Sequence, residues 1–245
     1  MEMVASGTPC ALAFQPRTGA LDTAATTVRL EGMGTEMRLQ GEAHYVPLAP
    51  GGSLLVAARG ADGVSLHLIS PDAPGLRRSM ARTADGHQVF SLVFDGVRVS
   101  PGDLVGAAGE GGAAADAALE GARILQAAHL LGLMRTTQER TLDYLKTRKQ
   151  FGRPIGAFQV LQHRAVDLYV QIELTAAAVT HATALADGMD EPFTLAAAAS
   201  SAKARAADAA LLVTRESVQM HGAIAYTQEH DIGLFLNGAL TQAAA

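Results

Sequence analysis

Residues Thr147 to His163 read TRKQFGRPIGAFQVLQH, and this stretch decides how the rest of the chain is arranged. Apolar positions at helical spacing run into it from Ala117. The break Gly152-Arg153-Pro154-Ile155-Gly156 stops that helix, and a second is predicted from about Ala157. Arg148, Lys149 and Arg153 place three cations at the break, with Phe151 among them and Gln150, Gln159 and Gln162 close in sequence. Guanidinium forks pair with phosphate oxygens and a phenyl face lies against a ring, so these residue types suit a phosphate-bearing aromatic cofactor. They equally describe an ordinary helix–helix turn whose basic side chains complement the carbonyl end of the first helix. Locally, both readings stay open.

Outward from the break, helical spacing dominates. From Ala113 the apolar stripe passes through Ile124, Ala127, Ala128, Leu131 and Met134 to Leu142 and Leu145. At ~1.5 Å per residue such a helix exceeds ~50 Å. The second helix carries Phe158, Leu161, Ala165, Leu168, Ile172, Ala176 and Val179 at three- and four-residue spacing, and Gly188 stops it. Asp190-Glu191-Pro192 is expected to open a third, alanine-rich helix. A shorter fourth is expected from Asp231. Long helices joined by short turns give an antiparallel four-helix bundle, assigned to residues 109–245, with a face left to bury against another subunit.

The first 108 residues have the opposite grain. Ala11–Phe14, Thr26–Leu30, Ser53–Ala58, Val64–Ile69 and Gln88–Val99 read as strands. Gly60-Ala61-Asp62-Gly63 fits a hairpin loop and Asp95-Gly96 a bulge or turn. An antiparallel sheet, closed or two-layered, is expected. The run Gly109-Glu110-Gly111-Gly112 marks the composition shift and the domain boundary. The fold class is therefore α+β. With 4% aromatics and no Trp, the core must be built from Leu, Val, Ile and Ala.

Composition narrows the chemistry. A net charge of −5 argues against a nucleic-acid surface. Cys10 is the only cysteine, which excludes an internal disulfide and a cysteine zinc cluster and is expected to be a buried strand thiol. No apolar run is long enough to span a membrane, and MEMVASGTPC lacks the basic start and apolar block of a signal peptide, so a cytoplasmic protein is expected. His221, Glu229, His230 and Asp231 lack metal-ligand spacing.

The stretch Arg148 to Gln159 closely resembles the R-x-Q-F-G-x-P-I-G-x-F-Q signature of the acyl-CoA dehydrogenase family. Gln219 to Asp231, QMHGAIAYTQEHD, resembles that family's Q-x-H-G-G-x-G-[FY]-T-x-E-H-D string in a bacterial branch with paired, unlike subunits. Gly41 to Ala49 resembles its G-x-K-x-[WF]-I-T-N-A. The resemblance implies a middle β domain and a C-terminal four-helix bundle, without the family's helical N-terminal domain. It implies FAD as cofactor, an acyl-CoA thioester as substrate, and α,β-dehydrogenation in which a glutamate removes the α proton. The bend would meet the FAD of a neighbouring subunit. By position, Arg148, Gln150, Phe151, Phe158 and Gln159 would contact FAD, Gln219 and Gly222 would line it from the other helix pair, and Arg123 would serve the substrate.

The sequence also departs from the pattern. One family position for the catalytic glutamate is Ala122 here, beside Arg123, and the other falls about at Ala245. Glu120 is turned ~200° round the helix from Ala122 and is read as surface. Phe14 and Pro47 stand where the family has threonines, and Gly222-Ala223-Ile224-Ala225 replaces a Gly-Gly-x-Gly run. The expectation is thus a subunit that contributes an interfacial FAD half-site without its own base, in a homo- or hetero-oligomer. An active homo-oligomer with a base elsewhere, and a scaffold or truncated homologue that binds no flavin, are the alternatives.

Overall fold

The computed structural model describes residues 7, 9–20, 22–32, 36–188 and 194–244. The chain divides into two compact units, Met1–Leu119 and Glu120–Ala245.

In the first unit β1 (Cys10–Ala13), β2 (Arg29–Glu31), β3 (Arg38–Val46), β4 (Ser53–Arg59), β5 (Val64–Ile69), β6 (Leu76–Arg82), β7 (Gln88–Arg98) and β8 (Leu104–Val105) share one sheet. The path runs β6-β7-β3-β2-β4-β5-β8, with β1 added to β4. Most ladders are antiparallel, as the turn punctuation implies. The exceptions are β1 and β2, which run parallel to β4, so the sheet is mixed. A parallel pair needs a long return, and the chain from 14 to 52 provides it.

Alternation along β4 explains the two cores of this unit. Leu54, Val56 and Ala58 pack with Leu39, Ala43, Val46, Leu92, Phe94 and Val97. Leu55 and Ala57 turn the other way, against Phe14, Leu66 and the helical residues Ala115 and Leu119. The glycine run at 109–112 packs inside this unit. A Cβ on Gly111 would lie 2.7 Å from the Leu66 backbone nitrogen. The expected hairpin is present: Arg59 pairs with Val64, and the Gly60 N–H donates to the Gly63 carbonyl at 2.8 Å. The expected bulge falls at Gly96, because Leu39 pairs with Val97 while Gln40 pairs with Asp95.

Strands β3 and β6 have weak local signals. β3 carries Gly41, Glu42 and Ala43, all poor strand formers. β6 is almost wholly exposed and arginine-rich, and its ladder with β7, from Leu76↔Phe94 to Arg82↔Gln88, holds it in place. Cys10 corrects an expectation. It is exposed at the start of β1, where partial desolvation raises the thiol pKa, outweighing a backbone hydrogen bond at Leu55 that lowers it. A raised pKa disfavours the thiolate.

The second unit is a bundle whose first helix begins nine residues earlier, in the first unit. Helix α1 (Gly111–Thr147) is 37 residues, about 55 Å long. It is followed by α2 (Gln159–Ala186), α3 (Leu195–His221) and α4 (Ile232–Ala244). Gly188, in the left-handed region, follows the end of α2 as expected. The expected start at Asp190–Pro192 lies outside the described residues, and α3 is capped by Thr194, whose side chain accepts from the Ala197 N–H at 3.3 Å.

Leu130, Met134, Leu168, Ile172 and Val213 fill the bundle core. On α3, Ala198, Ala199, Ala202, Ala206, Ala209 and Ala210 are all buried, so the alanine face is the packing face and admits close neighbours. Polar contacts fix the directions. Arg140 pairs with Asp231 and Gln126 with Gln242, so α1 and α4 are antiparallel. Arg164–Glu216 and Arg205–Gln171 do the same for α2 and α3.

Candidate functional site

The break after α1 is a miniature β-hairpin. The Arg148 N–H donates to the Tyr144 carbonyl at 2.8 Å, and the Ile155 N–H donates to the Arg148 carbonyl at 2.8 Å. Between them β9 (Lys149–Gln150) pairs with β10 (Arg153–Pro154) in the register Gln150↔Arg153. Phe151 and Gly152 are the two turn residues, with φ of 52° and 78°. A two-residue turn with both φ positive matches the twist of its flanking strands, but it favours Asn-Gly or Gly-Gly. A non-glycine residue there costs about 1–2 kcal/mol. The chain then enters a short 3-10 turn, Ile155–Ala157, which lies tight against α1: a Cβ on Gly156 would sit 2.9 Å from the Leu145 carbonyl oxygen.

This hairpin displays an unusual set of side chains. Phe151 is 92% exposed. Its ring meets the Phe158 ring edge-on at 6.2 Å, and the Arg153 guanidinium lies over Phe158 at 4.3 Å. Arg148, Lys149, Gln150 and Gln159 are exposed around it. Among the described residues, no carboxylate lies within ion-pair distance of Arg148, Lys149 or Arg153. The result is a cationic, amide-bearing corner tipped by an unburied phenyl ring.

The C-terminal end of α3 meets α1 at Tyr144, one turn before this corner. Gln219 and Gly222 are exposed. Gly222 has φ 71° and ψ −145°, a backbone region essentially reserved for glycine. His221 between them is 4% exposed, and its Nδ1 donates to the Ser217 carbonyl at 2.7 Å. Its ring stacks on Tyr144 at 4.4 Å, and the Tyr144 hydroxyl donates to the His221 carbonyl at 3.2 Å. His230 completes the pile, 4.7 Å from the His221 ring. Tyr144 was not among the residues expected from sequence. The available signal is its place four residues before Arg148, on the same helical face.

The structure thus gathers Arg148, Gln150, Phe151, Phe158 and Gln159 on the hairpin and the start of α2, and links that segment to the stretch holding Gln219 and Gly222 through the Tyr144–His221 contact. Arg123 is not with them. It precedes Arg148 by 25 residues of one helix, about 37 Å. There Arg123 is half-buried, Ala122 is exposed and Glu120 is half-buried. Burial lowers the pKa of neighbouring Lys203, and the Arg123 charge lowers it further.

Other places offer less. A groove of about 530 Å³ between α1 and α4 is lined by Ala128, His129, Leu133, Leu234 and Phe235, but its carboxylate, Asp231, is tied to Arg140. Among the described residues, no group of three or more His, Cys, Asp or Glu is placed to hold a metal. In the β unit, Phe14 is turned into the core and offers no hydrogen-bonding group there, while Pro47 is exposed. Tyr45, also exposed, has φ 58° and donates its hydroxyl to the Arg17 carbonyl at 2.9 Å.

The sequence profile of the acyl-CoA dehydrogenase C-terminal domain matches residues 109–245. The acyl-CoA dehydrogenase IpdE2 of Mycolicibacterium smegmatis is 44% identical over 118 residues, which are 48% of this chain and 35% of that protein. The short-chain-specific acyl-CoA dehydrogenase of Megasphaera elsdenii is 31% identical over 185 residues, 74% of this chain and 48% of that one. The chain spans about half or less of the length of these curated relatives. Among solved structures, the ChsE4-ChsE5 complex from Mycobacterium tuberculosis superposes with a TM-score of 0.82 at 25% identity, covering 98% of this chain and 62% of that chain. With its helical half matched from end to end by the family profile, this chain belongs to the acyl-CoA dehydrogenase family.

Proposed function

We propose that this protein works in FAD-dependent α,β-dehydrogenation of an acyl-CoA thioester, as a subunit whose hairpin holds FAD at an interface with another acyl-CoA dehydrogenase-like chain. One observation carries the reading. Phe151 is held in a strained backbone conformation and is 92% exposed, beside cations that have no carboxylate partner among the described residues. Strain of this kind persists where function uses it. The residue types fit the group: Arg148 suits a diphosphate, Phe151 and Phe158 suit a ring system, and Gln150, Gln159 and Gln219 supply amides. The backbone conformation of Gly222 keeps the second edge of the site free of a side chain.

The same geometry supports a shared site. Arg123, proposed for the substrate, and Arg148, proposed for the cofactor, lie about 37 Å apart on one rod, so a second chain must bring their complements together. Bound FAD supplies the electron acceptor. The α proton needs a carboxylate within reach. Ala122 cannot take it, so the base is assigned to the partner subunit. The ChsE4-ChsE5 complex is a relative built from two differently named chains. A cytoplasmic setting belongs to the same proposal.

The test is flavin retention. The chain is purified alone and with a co-encoded homologue, and visible spectra are recorded. Flavin in the pair only is the expected result. In the pair, Arg148→Ala should weaken FAD binding about 10- to 100-fold, the effect of losing a hydrogen-bonded charge contact. Unchanged retention would overturn the reading. The scaffold alternative draws on Phe14 and Pro47 and expects no flavin in either preparation.

A further inference from the structure

We propose that Tyr144 is a positioning residue that clamps the hairpin to the Gly222 turn, and that His221, stacked on it beside His230, makes the clamp release in acid. The inference deepens the FAD reading and rests on it for its functional meaning; the clamp itself is testable without flavin.

Three contacts from one residue span both segments. The Tyr144 carbonyl accepts from the Arg148 N–H at 2.8 Å, at the root of the hairpin. Its hydroxyl reaches the His221 carbonyl at 3.2 Å, immediately before Gly222. Its ring lies on His221 at 4.4 Å with an interplanar angle of 23°, and meets His230 edge-on at 6.0 Å. A shift of Tyr144 therefore moves both edges of the proposed cofactor site together.

The proton inventory explains the acid response. From α1, Tyr144 and Arg140 face the pile; from α3, His221 and the Ser217 carbonyl; from the segment before α4, His230 and Asp231. Asp231 is paired with Arg140. His230 Nδ1 accepts from the Ile232 N–H at 3.1 Å, capping α4. The His221 Nδ1–H is already engaged by Ser217, so a second proton must go to Nε2, which is buried with no hydrogen-bond partner in the structure. Burial lowers the His221 pKa, and His230 lowers it further. The Ser217 carbonyl and Asp231 act in the opposite direction.

The sign follows. The folded pKa lies below the unfolded one, so in acid the open state takes up a proton that the closed clamp refuses. The clamp is fully closed above the ordinary histidine range and loses stability as pH falls through that range toward the folded value.

Hydrogen exchange on the full chain tests this, with rates corrected for intrinsic exchange. Segments 147–156 and 222–226 should be protected near pH 8 and should loosen together near pH 5. Tyr144→Phe keeps the ring and loses one hydrogen bond, and should speed exchange in both segments about fivefold. His221→Phe keeps the stack and cannot titrate, so it should abolish the shared acid response. Loosening of only one segment in Tyr144→Phe, or an unchanged acid response in His221→Phe, overturns the clamp. In the assembled oligomer, flavin should leave over the same pH range. An oligomer without flavin at any pH refutes the FAD reading and leaves the exchange result standing; an oligomer that keeps flavin while the segments exchange independently refutes the clamp.

Discussion

Phe151→Asn separates what the fold needs from what function needs. Phe151 occupies the first position of a turn that requires φ > 0 at both central residues. Asparagine visits that region readily, so the substitution removes about 1–2 kcal/mol of backbone strain. It also removes the edge contact with Phe158, worth about 0.5 kcal/mol at the low end of the range because the ring is 92% exposed. The balance is a stabilisation of roughly 0.5–1.5 kcal/mol, or about 1–6 °C in melting temperature for a chain of this size. Thermal and urea unfolding followed by far-UV circular dichroism read it directly. In the assembled oligomer the same change should weaken flavin retention, because the exposed ring is lost. A destabilised variant would mean that Phe151 packs in a way this geometry does not contain. A stabilised variant with undiminished flavin binding would remove the ring from the site.

Further substitutions probe the rest of the molecule. Gly156→Ala places a Cβ 2.9 Å from the Leu145 carbonyl oxygen, a backbone atom that cannot swing aside, and should cost about 1–3 kcal/mol in urea unfolding. Met134→Ala empties a fully buried bundle position and should cost about 2–5 kcal/mol by the same measurement. His67 is 1% exposed and neither ring nitrogen has a hydrogen-bond partner among the described residues, and burial lowers its pKa against a weaker opposing pull from Asp103. Its unfolded state therefore gains a proton first, and stability falls as pH drops through the ordinary histidine range. His67→Leu should flatten that part of the decline between about pH 8 and pH 5, and an unaltered profile would count against a neutral buried imidazole.

Much of the architecture was legible because it is encoded locally. Helical periodicity from Ile124 to Leu145, and from Phe158 to Val179, specifies two long rods. Gly152, Gly156 and Gly188 mark their ends, and the apolar runs on either side of Gly60-Ala61-Asp62-Gly63 specify β4 and β5. The strings around Phe151 and His221 carry the family resemblance in sequence alone. β6 carries no apolar alternation, because it is an exposed edge whose partner β7 supplies the order. Cys10 was expected inside because thiols are usually buried, yet its place at the first residue of β1 leaves it outside.

By itself the sequence determined the periods, the breaks and the residue types at the bend, since these depend on neighbours a few positions away. Tertiary structure alone decided that Phe151 stands clear of the chain in a left-handed turn. It alone put Tyr144 against His221, 77 residues away in sequence. Such adjacencies depend on which helix faces meet when apolar surface is buried, and no local pattern specifies that pairing.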